Sequence, residues 1–269
     1  MTNSTQSHRI QQQRVVYMVP EMDRVTVRSE TYRVSDTGAL ALDLYYSPET
    51  DAAPKPAAIL VTGFSDAGAV RMFGAAFKDT GAFVSWARLI AASGMVGITY
   101  TNHEPRDVHD VLEHVRQNAA SLGIDADRIG VWACSGHGPN ALSVLIEHGA
   151  ARVRCACLLY PYTMDLNGAA GVAAAAAQFR FVTPAAEKSI DDLPLDAPMA
   201  IVRAGRDVMP GLNEALDAFV AASLARNLPL TLVNHPSGQH AFDLSEDSPM
   251  SHAAIRQALA FLRSHLSRP

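Results

Sequence analysis

The chain has 269 residues, 48% of them hydrophobic and 18% charged, with a formal net charge of −5 and a pI near 6.0. That length is enough to bury a substantial core, and the charge offers no basic face for nucleic acid or for an anionic membrane surface. No run approaches the ~18 apolar residues that span a bilayer, and the opening MTNSTQSHRIQQQR lacks the apolar stretch of a secretory signal, so a cytoplasmic protein with no nucleic-acid or membrane partner is expected.

Residues 1 to about 14 are polar and glutamine-rich and read as an arm outside the fold, with a single domain over 15–269. Arg24 to Arg33 and Ala39 to Tyr46 alternate as two strands joined through Asp36-Thr37-Gly38, an antiparallel edge. Ala57 to Thr62 is continuously apolar, as a buried parallel strand is. Helices and strands then alternate: helix Ala82 to Ser93, strand Met95 to Tyr100, helix Arg106 to Leu122, strand Ile129 to Cys134, a helix from Pro139, and strand Arg154 to Tyr160. Such alternation predicts an α/β fold, a mostly parallel central sheet of about eight strands with helices on both faces. The rhythm breaks at 161–198, where GAAGVAAAAAQF and the proline-punctuated SIDDLPLDAP make a stretch too long for a plain connection, either a small cap or lid or an ordinary helix and loop. It resumes with strand Met199 to Ala204, helix Pro210 to Arg226, strand Pro229 to Asn234 and a last helix from Met250 to Leu266. Cys134, Cys155 and Cys157 read as reduced core thiols.

The stretch with most chemical content is DRIGVWACSGHGPNALSVLI, Asp127 to Ile146. A β-forming run ends at Cys134, a helical pattern carried by Leu142, Leu145 and Ile146 follows Pro139, and the turn between them centres on Ser135 with small neighbours Ala133, Gly136 and Gly138. A strand that becomes a helix within three residues strains its apex residue and lifts that side chain above the sheet edge, facing a helix N-terminus. The stretch resembles the nucleophile elbow of the α/β-hydrolase family, G-x-S-x-G, with alanine for the first glycine and His137 for the second. A rival reading of the same turn is G-x-G-x-x-A from Gly136 to Ala141, the fingerprint of a dinucleotide-binding oxidoreductase.

A serine nucleophile needs a base, and the base an acid, and loops past strand ends supply both: Gly205-Arg206-Asp207 and Gly238-Gln239-His240-Ala241-Phe242. Ser135, Asp207, His240 is also the family's chain order, and the G-x-H-x-F context resembles its histidine loop. Asp165 is the competing acid and His235 the competing base, and Asp207 has a second use open to it as a helix cap. For the oxyanion the resemblance implies backbone N–H groups of Gly136 and, in Thr62-Gly63-Phe64-Ser65, of Phe64. Phe73, Phe77, His137 and Tyr160 are candidate pocket residues; His137 is equally placed to pack against the sheet. Tyr100-Thr101-Asn102-His103-Glu104-Pro105 looks like the corresponding loop of hormone-sensitive-lipase-type esterases, while other hydrolases of this family, such as dienelactone-hydrolase-like ones, remain comparable; the resemblance covers about residues 40 to 265. What it implies is a carboxylesterase acting on a small-molecule ester, with amide or lactone hydrolysis, a catalytically silent binding protein and the oxidoreductase as alternatives. No zinc spacing or Walker loop appears, so no metal and no nucleotide cofactor is expected; a homo-oligomer stays open.

Overall fold

The computed structural model describes residues 11–35, 38–47 and 53–267. Eight strands form one sheet: β1 (Thr26–Ser35), β2 (Gly38–Tyr46), β3 (Lys55–Leu60), β4 (Val96–Tyr100), β5 (Ile124–Cys134), β6 (Ala156–Leu159), β7 (Met199–Ala204) and β8 (Leu230–His235). Their spatial order is β1-β2-β4-β3-β5-β6-β7-β8. β2 runs antiparallel to both its neighbours, and every pairing from β4 across to β8 is parallel.

The continuous apolar runs of the sequence are explained by this arrangement, because a parallel strand buries both of its faces. Period-two alternation sorts the side chains into two cores. Ala57, Ile59 and Val61 join the core beneath α3 (Val108–Gln117), α4 (Gly138–His148) and α6 (Leu212–Ala225). Ala58 and Leu60 join the core beneath α2 (Gly81–Ala92) and α8 (Pro249–Leu266), where Trp86 and Trp132 pack with ring centroids 4.9 Å apart.

Three segments differ from the sequence reading. The long loop after β3 contains a helix, α1 (Asp66–Phe73), started by the Ser65 hydroxyl, which accepts from the Gly68 N–H, and stopped by Gly74 at φ 84°. β5 begins at Ile124, five residues before the expected Ile129, because Ile124 pairs with Lys55 across an irregularity in the β3 register. Gln11 to Arg14, expected to lie in the arm, pack against the fold. From Gln11 onward the chain is docked: the Val15 N–H donates to Ser85 Oγ at 2.9 Å, and a Cβ at Gly81 would meet the Gln13 carbonyl at 2.6 Å. Residues 1–10 and Asp36-Thr37 of the expected hairpin turn lie outside the described residues.

Within 161–198 the chain forms α5 (Gly171–Phe179) and a 3-10 turn, Ile190–Asp192. The short α7 (Phe242–Ser245) follows β8. α5 and α7 follow the C-terminal ends of β6 and β8, where an open parallel sheet leaves a crevice, whereas the 190–192 turn is held by Arg226 at the far end of α6.

Candidate active site

Cys134 ends β5 in extended conformation, Ser135 has φ 50°, and a single 3-10 turn, Ser135–His137, leads into α4. A positive φ on a residue with a Cβ is strained and persists only where surrounding packing over-determines it. Two further such residues, Tyr160 at 36° and Ala241 at 57°, flank the same crevice. Ser135 Oγ lies 2.9 Å from His240 Nε2, and His240 Nδ1 lies 2.6 Å from Asp207 Oδ2. With a carboxylate accepting at Nδ1, the neutral ring keeps its proton there and Nε2 is left to accept from the serine hydroxyl. The Asp207 carboxylate is fully buried, whereas the His240 side chain retains 25% exposure, so the relay opens to solvent only at its working end.

The competing residues are occupied elsewhere. Both oxygens of Asp165 accept from the first turn of α5, from the Val172 N–H at 2.9 Å and the Ala173 N–H at 2.8 Å. His235 is buried with Nε2 3.0 Å from Ser251 Oγ. Asp207 serves both roles open to it, since its Oδ1 accepts from the Met209 N–H at 2.9 Å while Oδ2 holds the histidine.

Four side chains fix the loop Thr62–Ser65 against the elbow. The Gly63 N–H donates to His137 Nδ1 at 2.8 Å, and the Thr62 N–H to the Tyr100 hydroxyl at 3.1 Å. Asn102 Nδ2 donates to Thr62 Oγ1 and to the Phe64 carbonyl, and Asn140 Nδ2 donates to the Thr62 and Pro105 carbonyls at 2.7 and 2.9 Å. Only glycine fits at 63, because a Cβ there would sit 2.2 Å from the Gly136 carbonyl. The Gly63 carbonyl accepts from the Val182 N–H at 2.9 Å, and since the peptide is planar and trans, the Phe64 N–H points the opposite way. The Gly136 N–H belongs to the first turn of a helix, where donors have no intrahelical acceptor. Asn102 and Asn140 escaped the sequence reading; the one signal was the position of Asn102 within the esterase-like loop after β4.

Ser135, Gly136 and His240 form one wall of a cavity of about 340 Å³. Phe64, Met72 and Phe73 line it from one side, Tyr162, Phe179 and Phe181 from another, with Gln178 and Met209 completing it. A roomier, more polar hollow of about 860 Å³ lies between the N-terminal stretch and α2, but its lining holds no histidine beside a nucleophile, and its chemistry points nowhere.

Solved structures with this architecture are numerous. A thermostable esterase from Pseudomonas putida ECU1011 superposes with a TM-score of 0.72 at 18% identity, over 99% of this chain and 88% of that one. The chain has the α/β-hydrolase fold. A thermophilic carboxylesterase cloned from a metagenomic library shares that fold at TM-score 0.68 and 20% identity, over 99% and 95% of the two chains. A bacterial heroin esterase matches at 0.67 and 16%, over 94% and 88%. No family model matches the sequence, and no curated protein does.

On this α/β-hydrolase framework, Phe73 reaches the cavity, but three other expected pocket residues stand behind its wall. His137 is buried with its ring 4.5 Å from that of Phe77 and 5.2 Å from those of Phe64 and Phe83, and burial pulls its pKa down to about 3, so it is a neutral acceptor. Phe77 is drawn into that cluster, and Tyr160 is buried against His240 with ring centroids 5.0 Å apart. The cavity wall comes instead from Tyr162, Phe179 and Phe181, in the 161–198 segment with its alanine-rich helix. Among the described residues, no three His, Cys, Asp or Glu side chains stand together as metal ligands, and no helix is long and apolar enough to cross a membrane.

Proposed function

We propose that this protein is a serine hydrolase that cleaves small or medium carboxylic esters through an acyl-enzyme, with Ser135 as nucleophile, His240 as base and Asp207 as its orienting acid. The observation that carries the reading is the continuous relay from Asp207 through His240 to Ser135, 2.6 and 2.9 Å long, ending in an apolar cavity. In this reading His240 takes the serine proton as Oγ attacks the carbonyl carbon, and returns it to the departing alkoxide. The Gly136 and Phe64 N–H groups receive the oxyanion. Water then repeats the sequence on the acyl-serine.

The cavity lining holds no Lys, Arg, Asp or Glu, which suits an uncharged ester and disfavours substrates that carry a carboxylate or an amine on the acyl side. The proteins named above that share the fold are esterases, which favours this choice over amide hydrolysis. The oxidoreductase reading finds less support: the space a Cβ would take at Gly136 is filled by Phe181 at 2.8 Å, and at Gly138 by the Tyr162 carbonyl at 2.3 Å, so these glycines serve internal packing.

A fluorophosphonate probe should label Ser135, and Ser135→Ala should lose about 10⁴-fold or more in p-nitrophenyl ester turnover with an unchanged circular dichroism spectrum. Turnover of that variant within tenfold of the wild type would place the nucleophile elsewhere.

A further inference from the structure

Directly behind His240 lies a carboxylate for which the relay has no use. Asp243, in α7, is buried at 1% exposure. Its Oδ1 accepts from the Tyr160 hydroxyl at 2.5 Å and its Oδ2 from Trp86 Nε1 at 2.7 Å. The Tyr160 and His240 rings pack edge to face, centroids 5.0 Å apart and planes at 64°. Three elements thus converge on one acid: α2 through Trp86, the end of β6 through Tyr160, and the N-terminal stretch, whose Val16 N–H donates to the Asp243 backbone carbonyl at 2.7 Å. The backbone at Tyr160 is held at positive φ to present the phenol this way.

We propose that Asp243, acting through the phenol of Tyr160, is a positioning residue that holds the His240 ring against the relay and stabilises the positive charge it acquires when Ser135 gives up its proton. This rests on the reading of Ser135 and His240 given above. Trp86 Nε1 can only donate, so Oδ2 must accept, and a phenol donating to Oδ1 completes a site made for the anion. Burial lifts the Asp243 pKa, and the two donors work against that lift. The other groups here are neutral: burial and the neighbouring Asp243 push the Tyr160 hydroxyl far up, and burial pushes up the Cys134 thiol beside it. The groups that face His240 are Ser135, the Tyr160 ring and the Asp207 carboxylate, while Glu246 binds the Gln239 N–H in the same loop. A phenol that donates to an anion has a more electron-rich ring, and an electron-rich ring beside an imidazolium is the more attractive one. With water excluded on this side, the attraction is weakly screened. Asp243 neither gives nor takes a proton in the cycle. The proton travels from Ser135 Oγ to His240 Nε2 and on to the leaving group.

A purely structural tie between Trp86, Tyr160 and Asp243 would affect melting alone, so the test reads the histidine itself. Asp243→Asn keeps the shape and removes the charge; Tyr160→Phe keeps the ring and removes the bond to Asp243. In both, the His240 imidazole, followed by ¹⁵N NMR without substrate, should titrate at lower pH than in the wild type, by about one unit in Asp243→Asn. The acid limb of the kcat/KM profile should move with it, and kcat should fall about tenfold with KM little changed. The double variant should be no worse than Asp243→Asn, because both changes break one chain of contacts. If Asp243→Asn fails to fold, Tyr160→Phe carries the same test. An unmoved imidazole titration in the folded variants, whatever their melting temperatures, overturns the proposal. Absence of fluorophosphonate labelling in the wild type would instead overturn the hydrolase reading, and the titration comparison would still decide what Asp243 does to His240.

Discussion

His137 occupies the position where the resemblance leads one to expect glycine, and its ring does work that a glycine could not. Its Nδ1 accepts the Gly63 N–H, joining the elbow to the loop that carries Phe64. His137→Gly should leave that buried N–H unpaired, lower stability by about 1–3 kcal/mol, and reduce kcat about tenfold through the loosened loop. His137→Asn places an amide oxygen where Nδ1 stands and should keep activity within a few-fold; a dead but stable Asn variant would show that the imidazole itself is needed. A pH effect follows from its pKa of about 3. The folded value lies below the unfolded value of about 6.5, so between the two the unfolded chain binds a proton the folded chain does not. This contribution is therefore complete above pH 6.5 and is lost as the pH falls toward 3, with about 2 kcal/mol of it already lost at pH 5. Urea unfolding at pH 7 and pH 5 should show a stability drop in the wild type that His137→Asn reduces by about that amount, and equal drops would refute it.

Among the elements, the two aspartates that competed in the sequence now have separate tasks. Asp207 lies in the loop between β7 and α6 and holds His240, while Asp165 caps α5. Asp207→Asn should cost about 10³-fold or more in kcat/KM by disturbing the histidine tautomer. Asp165→Asn should cost about 1 kcal/mol of stability through the weakened cap and leave kcat/KM within a few-fold. The reverse ranking would move the acid to the earlier loop. Asp207 and His240 were legible because loop position, chain order and the local G-x-H-x-F pattern agreed. The brace around Thr62–Ser65 was not, because its bonds join residues distant in sequence: Asn140 reaches a carbonyl 78 positions away and His137 an amide 74 positions away. Periodicity reports which face of its own element a residue occupies and carries no information about partners across the sheet. Helix α1 was overlooked for a different reason, since only eight residues separate its Ser65 cap from Gly74 and its apolar pattern is too short to count.

At the scale of the whole molecule, the parallel sheet was readable from β3 onward because burial on both faces writes itself as unbroken apolar runs. The 161–198 segment resisted, since its alanine-rich helix has no clear apolar face to assign. The structure ties that segment into the site at three points: Val182 N–H to the Gly63 carbonyl, Tyr162 N–H to the Ser135 carbonyl at 3.0 Å, and Phe181 against the open face of Gly136. The roof of the cavity is thus also the outer buttress of the elbow and its facing loop, and a single blow can remove both. Lys188 is exposed within this segment, and a tryptic cut there should abolish ester turnover while most of the far-ultraviolet dichroism survives. Nicked protein that kept full activity would show that the buttress is dispensable. If activity depends on this buttress, inactivation on gentle heating should run ahead of melting, and the temperature at which turnover stops would then report on the 161–198 segment rather than on the sheet.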